Sequence, residues 1–249
     1  MTTQKTVLIV HGDKGGVGKS TVATLAADWV LRQFGAVTVV EGGETIFDVA
    51  PRFDGVRGAK CIAVDLARPD MSEDAIVALL NEIEAAAGDT HIVINTPASA
   101  SKTLDPQADL MFPTLKDMGY QVLVGWIVDV GEDSAVLSQV SKACNLADHK
   151  IAIRNERLKP SEKLPWEHHA ARAAWSETGG IEGVLPGLTE RVIARMREMP
   201  NMPFSAMIEP SAGLTIVERQ AIKRWVGSAW AAAVEPIYRA AMAEEPAHE

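Results

Sequence analysis

The sequence predicts an α/β fold in which a mostly parallel central sheet carries helices on both faces. Short apolar runs rich in Val and Ile recur along the chain, and segments with helical periodicity separate them. Strands covered on both faces have such unbroken apolar runs, and their alternation with helices favours parallel pairing. The predicted strands are 7–10, 37–40, 61–64, 91–94, 122–128 and 151–153.

Helical periodicity places the first helix at about 18–34, where Val22, Leu25, Ala26 and Trp29 lie on one apolar stripe. Residues 158–180 have little regular periodicity, so we interpret them as an irregular insertion. We expect the whole chain, 1–249, to form one domain. The remaining predicted helices cover about 72–87, 102–118, 132–145, 188–199 and 214–243.

Composition narrows the class of function. The chain has 249 residues, a net charge of −9 and two cysteines far apart in sequence, and it lacks an apolar run of 18 residues. The acidic balance argues against a surface built throughout for nucleic acid. The cysteines favour a reduced, cytoplasmic protein. We expect no membrane binding, because the acidic end of the chain, 243–249, would be repelled by anionic lipid.

The strongest functional signal is K-G-G-V-G-K-S at residues 14–20, between the first predicted strand and the first predicted helix. Glycines at 15, 16 and 18 let backbone N–H groups turn toward an anion, and the start of a helix adds its positive dipole. Lys19 can reach the β- and γ-phosphates, and the Ser20 hydroxyl can bind Mg²⁺. The motif therefore predicts a phosphate-binding loop (P-loop) of a nucleotide-binding protein.

One position departs from the general P-loop pattern. Asp13 stands where the first glycine of the pattern would fall, and Gly12 precedes it. A carboxylate near phosphates is unfavourable unless it is paired or turned away, so we expect Asp13 to turn outward as a cap or a subunit contact. The predicted nucleotide-binding residues of the loop are Asp13, Lys14, Gly15, Gly16, Val17, Gly18, Lys19, Ser20 and Thr21.

A lysine at the start of this loop resembles the deviant Walker A motif of the ParA/MinD superfamily. The resemblance implies that Lys14 reaches the phosphates of a partner subunit in an ATP-bound homodimer. It implies an ATPase that alternates between ATP and ADP with Mg²⁺ and binds a cognate partner protein. Members act in DNA segregation, division-site positioning and conjugation.

The resemblance also implies two acidic switches, and this chain departs from both. After the second strand the superfamily often has D-x-D; here Glu41 matches the first acid, whereas Gly43 takes the place of the second unless Glu44 or Asp48 substitutes for it. After the fourth strand it has D-T-P, and here Asn95 replaces the aspartate. We therefore predict catalytic roles for Lys14, Lys19, Glu41 and Glu44, and Mg²⁺ binding by Ser20 and Asn95. Because Asn95 carries no charge, we expect slow hydrolysis or none.

Two further residues are assigned by the same resemblance. Asn155, after the sixth strand, corresponds to an asparagine that contacts adenine, and Pro186 lies in the adenine-side loop. An ordinary turn is the alternative for both. A basic face that could bind non-specific DNA is also present, but glutamates at 190, 198 and 218 dilute it, and an ordinary solvated helix face is the favoured interpretation. Its residues are Arg191, Arg195, Arg197, Arg219, Lys223 and Arg224.

Two other functions remain open at this stage. A nucleotide-binding regulator that does not hydrolyse ATP would account for Asn95 and the altered first switch. A metabolic ATP-dependent synthetase on the same fold would share the loop, although such enzymes commonly lack a lysine at the position of Lys14.

Overall fold

A computed structural model describes residues 4–43, 48–86, 90–128, 130–156 and 164–243. Its centre is a seven-stranded sheet in the order β3-β2-β4-β1-β5-β6-β7, and every neighbouring pair is parallel. The predicted fold class is therefore confirmed. The strands are β1 (Lys5–His11), β2 (Val37–Glu41), β3 (Ala59–Ala63), β4 (His91–Asn95), β5 (Tyr120–Val128), β6 (His149–Asn155) and β7 (Ile181–Leu185).

Helices cover both faces of the sheet, and buried side chains of the helices and strands form two apolar layers. One layer contains Trp29 and Tyr238, and the other contains Phe112 and Trp126. The helices are α1 (Lys19–Phe34), α2 (Ala50–Phe53), α3 (Ser72–Ala86), α4 (Ser101–Leu104), α5 (Ala108–Asp117), α6 (Asp133–Val140), α7 (Lys142–Leu146), α8 (Ala170–Glu177), α9 (Glu190–Arg197), α10 (Ile216–Ala229) and α11 (Glu235–Ala243).

The prediction of single helices over 102–118 and 132–145 is wrong. A 3₁₀ turn, Asp105–Gln107, separates α4 from α5. Ser141 separates α6 from α7, since its backbone is extended and its side chain accepts from the N–H of Cys144. The predicted helix over 214–243 begins at Ile216 and contains a π-helical turn, Trp230–Val234, between α10 and α11.

The sheet order brings three strand ends together at one edge. Since β4 lies between β2 and β1, Asn95 pairs in register with both Glu41 and Val10. The loop that follows β1 therefore begins beside the last residues of β2 and β4. Ligands of open parallel sheets bind at such carboxyl ends. In the described part of the chain, no helix has the length and apolar character needed to cross a membrane.

Candidate functional site

The loop between β1 and α1 has the backbone of an anion cradle. Gly16 and Gly18 adopt φ values of 75° and 114°, in the left-handed region that favours glycine. Gly18 is also the N-cap of α1, and a Cβ there would lie 2.6 Å from Asn155 Nδ2. The loop is thus shaped by glycine at the point where the N–H groups of a helix start become available to an anion.

Lys19 is the first residue of α1 and is almost fully buried. Its Nζ donates a hydrogen bond of 2.5 Å to the carbonyl oxygen of Lys14, within the loop itself. Burial lowers the pKa of Lys19 to about 8, and the nearby Asp13 carboxylate opposes this shift. A phosphate group would give this ammonium the counter-charge that the loop carbonyl supplies only as a dipole.

The Asp13 carboxylate is paired with a neighbouring helix. Its Oδ1 accepts a 2.5 Å hydrogen bond from the Ser101 hydroxyl at the start of α4, and its backbone oxygen accepts from the N–H of Ser99. Lys14 is exposed on the loop, whereas the Val17 side chain is buried in the core. None of Asp13, Lys14 and Val17 lines the cavity beside the loop, and their predicted contacts with nucleotide stay predictions.

That cavity has a volume of about 670 Å³ and runs from the phosphate loop to the carboxyl end of the last strand. It contains both predicted ends of a nucleotide site in one continuous space. Residues of the phosphate end are Gly15, Gly16, Gly18, Lys19, Ser20 and Thr21. Residues of the opposite, largely apolar end are Asn155, Leu185, Pro186, Leu188, Ile193 and Trp225.

Asn155 braces the loop from the end of β6. Its Nδ2 donates to the carbonyl oxygen of Val17 at 2.8 Å, and its side chain is buried while still lining the cavity. Pro186 lies across the same end, and its carbonyl accepts from Trp225 Nε1 at 2.8 Å. The structure therefore brings both predicted adenine-side residues to the cavity and adds a loop contact that the sequence did not indicate.

A hydrogen-bonded cluster joins the ends of β2 and β4 to the start of α1. The Asn95 amide nitrogen lies 2.5 Å from Glu41 Oε1 and 3.4 Å from the Ser20 hydroxyl. The other Glu41 oxygen accepts from the N–H groups of Val49 and Ala50, at 2.8 and 3.1 Å. Glu41 thus caps α2, while Glu44 lies outside the described residues.

The oxygen atoms of this cluster suit a magnesium ion. Ser20 presents a hydroxyl, and the side-chain Oδ1 atom of the buried Asn95 has no hydrogen-bond partner among the described residues. Asp48 also lines the cavity, and its Oδ2 accepts from the Ser20 hydroxyl at 3.1 Å. Oxygen ligands of this kind are those that Mg²⁺ prefers. Among the described residues, no group of three or more His, Cys, Asp or Glu side chains is arranged to hold a metal ion by itself.

Arg52 is a cavity residue that sequence reasoning missed. Its Nη1 donates to the carbonyl oxygens of Met199 and Met202, each at 3.1 Å, and its guanidinium lies over the Phe204 ring. These partners are about 150 residues away in sequence, so no local pattern could have indicated them. On the proposed basic face, Arg195 pairs with Glu198 and, at 3.7 Å, with Glu218.

Comparison with known proteins gives one curated relative and a group of similar folds. No protein-family model matches the chain. Protein MobD of Acidithiobacillus ferrooxidans is 25% identical over 190 residues, which are 76% of this chain and 80% of MobD. The structure of the cell division ATPase MinD of Pyrococcus furiosus superposes with a TM-score of 0.50 and 16% identity. The superposition includes 90% of this chain and 98% of the Pyrococcus chain. The MinD cell division protein of Aquifex aeolicus has a TM-score of 0.44 and 14% identity, covering 89% and 97%.

The chain resembles the ParA/MinD superfamily. The curated relative and the Pyrococcus fold confirm the resemblance that residues 14–20 predicted. At 16% identity the structural likeness concerns the fold, namely a parallel sheet with helices on both faces.

Asn95 has a physical explanation in this ParA/MinD-like chain. The buried Glu41 carboxylate needs a donor on its Oε1 side, and the Asn95 amide supplies one. An aspartate at position 95 would instead place two carboxylates against each other, which is unfavourable in a buried site. Asn95, the departure in the second switch, is therefore matched to Glu41, the acid that the first switch retains.

Proposed function

We propose that this chain is an ATP-dependent dimerisation switch with slow ATP hydrolysis, used in DNA or plasmid segregation, cargo positioning or conjugative transfer. The observation that carries the proposal is the continuous cavity, with Lys19 and the start of α1 at one end and the apolar residues around Pro186 at the other. A nucleoside triphosphate has the matching chemistry, because it is anionic at one end and flat and apolar at the other.

Dimerisation is supported by the position of Lys14. Its side chain is exposed at the loop while its carbonyl is held by Lys19, so a second subunit can approach it without disturbing the fold. Binding energy from a phosphate of the partner subunit would then be available only with nucleotide bound. Hydrolysis would remove that phosphate and release the dimer.

A nucleotide-bound regulator without turnover is the second candidate, and the Glu41–Asn95 pair favours it. Both Glu41 oxygens already accept hydrogen bonds, one from Asn95 and the other from the start of α2. In that arrangement the carboxylate is not available to orient an attacking water, and correct placement of that water dominates the rate of phosphoryl transfer.

The test is molar mass by light scattering with Mg²⁺ and ADP, ATP or a slowly hydrolysed analogue, followed by phosphate release on the same samples. We expect a dimer with ATP that decays as phosphate appears. A stable ATP dimer without phosphate release would select the regulator. Monomer in every state would contradict both.

The Lys14→Ala variant tests the role of the loop lysine. We expect it to bind nucleotide but to remain monomeric, because the contact to the partner's phosphate is lost. Lys223→Ala, which removes an exposed lysine on α10, is the matched control and should dimerise like the unmodified chain. If Lys14→Ala dimerises with the same subunit affinity as the unmodified chain, the result would instead favour a metabolic synthetase.

A further inference from the structure

A phosphate-bound Mg²⁺ ion needs negative charge from the protein. The position at which the ParA/MinD superfamily has an aspartate after the fourth strand is the neutral Asn95 here. Among the described residues, the acidic side chains lining the cavity are Glu41 and Asp48. Glu41 cannot turn to a cation without breaking its bonds to Asn95 and to the backbone of Val49 and Ala50, which begin α2. Asp48 is therefore the acid that can supply this charge without rearrangement of α2.

The Ser20 hydroxyl is already oriented by its neighbours. It donates to Asp48 Oδ2 at 3.1 Å and lies 3.4 Å from the amide nitrogen of Asn95. A hydroxyl has one proton and two lone pairs, so one lone pair remains for a cation. A carboxylate that accepts the proton of a metal-bound group orients that ligand and increases its basicity.

We propose that Asp48 is the carboxylate of the Mg²⁺ site, where it orients the Ser20 hydroxyl toward the ion and supplies the negative charge that Asn95 lacks. The inference rests on the proposed nucleotide-binding function. The negative charge near the ion then comes from the segment after β2 and not from the end of β4. In that segment Asp48 is exposed and lies seven residues after Glu41. The Asn95 amide nitrogen can then donate to Glu41 without any role in charge compensation. The Asn95 Oδ1 atom accepts no hydrogen bond from the described residues.

The test compares Asp48→Asn with Asp54→Asn, an exposed aspartate at the end of α2 that does not line the cavity. Affinity for fluorescent ADP and for a slowly hydrolysed ATP analogue is measured in EDTA and over a Mg²⁺ titration, and Mn²⁺ binding to the complex is followed by electron paramagnetic resonance. We expect Asp48→Asn to bind nucleotide in EDTA at least as tightly as the unmodified chain, because a carboxylate near the phosphates is removed, but to lose about 10- to 100-fold in divalent-ion affinity. Asp54→Asn should behave like the unmodified chain.

Equal Mg²⁺ and Mn²⁺ affinities for the two variants would overturn the proposal. A larger loss of divalent-ion affinity in Asn95→Ala than in Asp48→Asn would also overturn it, because binding of the ion would then depend mainly on residue 95. Failure of the unmodified chain to bind nucleotide, with or without Mg²⁺, would instead refute the proposed function. Binding of nucleotide by Asp48→Asn in EDTA also reports that this variant is folded.

Discussion

Lys19 is the residue whose environment says most about the state of the site. Its ammonium is buried and held by the Lys14 carbonyl, and burial lowers its pKa to about 8. A bound phosphate would stabilise the charged form and raise that pKa. Nucleotide binding and proton binding at Lys19 are therefore coupled, each favouring the other.

Nucleotide affinity should fall as the pH rises above about 8. Below the pKa of the free site, Lys19 is charged in both states and affinity is at its full value. Between the lower free pKa and the higher bound pKa, binding must take up a proton, so affinity drops by about tenfold per pH unit. Calorimetric titration with ADP between pH 7.5 and 9.5 measures this. Lys19→Arg, which stays charged, should lose the decline, and an unchanged decline in Lys19→Arg would contradict the assignment.

At the residue scale, sequence reasoning reaches as far as local spacing allows. The positions of Lys19 and Ser20 on the loop follow from the motif, because consecutive residues fix their geometry. The bracing of the loop by Asn155 does not, since the residue that it contacts, Val17, is 138 positions away. The Glu41–Asn95 pair likewise depends on strand register, which a single sequence does not reveal.

At the scale of elements, the short helix α2 depends on a residue outside it. The N-cap residue, Val49, has no side chain that can cap the helix. The Glu41 carboxylate instead accepts hydrogen bonds from the backbone N–H groups of Val49 and Ala50. The same carboxylate accepts from Asn95 at the end of β4. One buried acid thus fixes the positions of α2 and two strand ends, so a change at position 95 should affect all three.

Asn95→Asp should destabilise the protein and should not increase ATP hydrolysis. A second carboxylate beside Glu41 would replace a hydrogen bond by repulsion, costing about 2 kcal/mol of unfolding free energy at neutral pH. Urea denaturation at pH 7 measures the loss. The double variant Glu41→Gln with Asn95→Asp restores a donor–acceptor pair and should recover most of the stability. An Asn95→Asp variant as stable as the unmodified chain would show that the pair is not coupled.

The breaks within the helices show why their existence was easier to predict than their limits. Pro106 lies in the 3₁₀ turn between α4 and α5, but Pro113 is inside α5, so a proline alone does not mark the break. Apolar periodicity extends across Ser141, where capping ends one helix and begins the next. The strand pattern found β1 to β6, because covered parallel strands favour continuous apolar residues whatever their order. It did not include β7, whose run is interrupted by Glu182 and Gly183.

At the scale of the molecule, the C-terminal third is attached to the first helix. Asp28 on α1 accepts from the backbone and hydroxyl of Ser205, and Trp230 Nε1 donates to the Leu25 carbonyl. Arg52 adds a link from α2 to Met199 and Met202. Since α1 begins at the phosphate loop and α2 follows the first switch, these contacts connect the segment after α9 to the phosphate loop and to the first switch region. The organisation of residues 1–249 as one domain stays a prediction.

Acid should destabilise the whole molecule through two buried histidines. His11 lies beneath the phosphate loop against Trp126, and His91 contacts Thr6 in the core; burial lowers the pKa of each to about 4. In the unfolded chain both titrate near 6.5, so the unfolded state binds more protons between these values and stability falls as the pH falls from about 6.5 to 4.

Removal of one buried imidazole should therefore reduce the sensitivity to acid. A pKa difference of this size between the folded and unfolded states corresponds to about 3 kcal/mol of unfolding free energy per histidine across that pH range. Urea denaturation of His91→Asn at pH 7.5, 6 and 5 should show a smaller loss of unfolding free energy on acidification than the unmodified chain. His168→Asn removes an exposed histidine and serves as the control. If His91→Asn loses as much stability as the control on acidification, carboxylates rather than His91 govern the acid response.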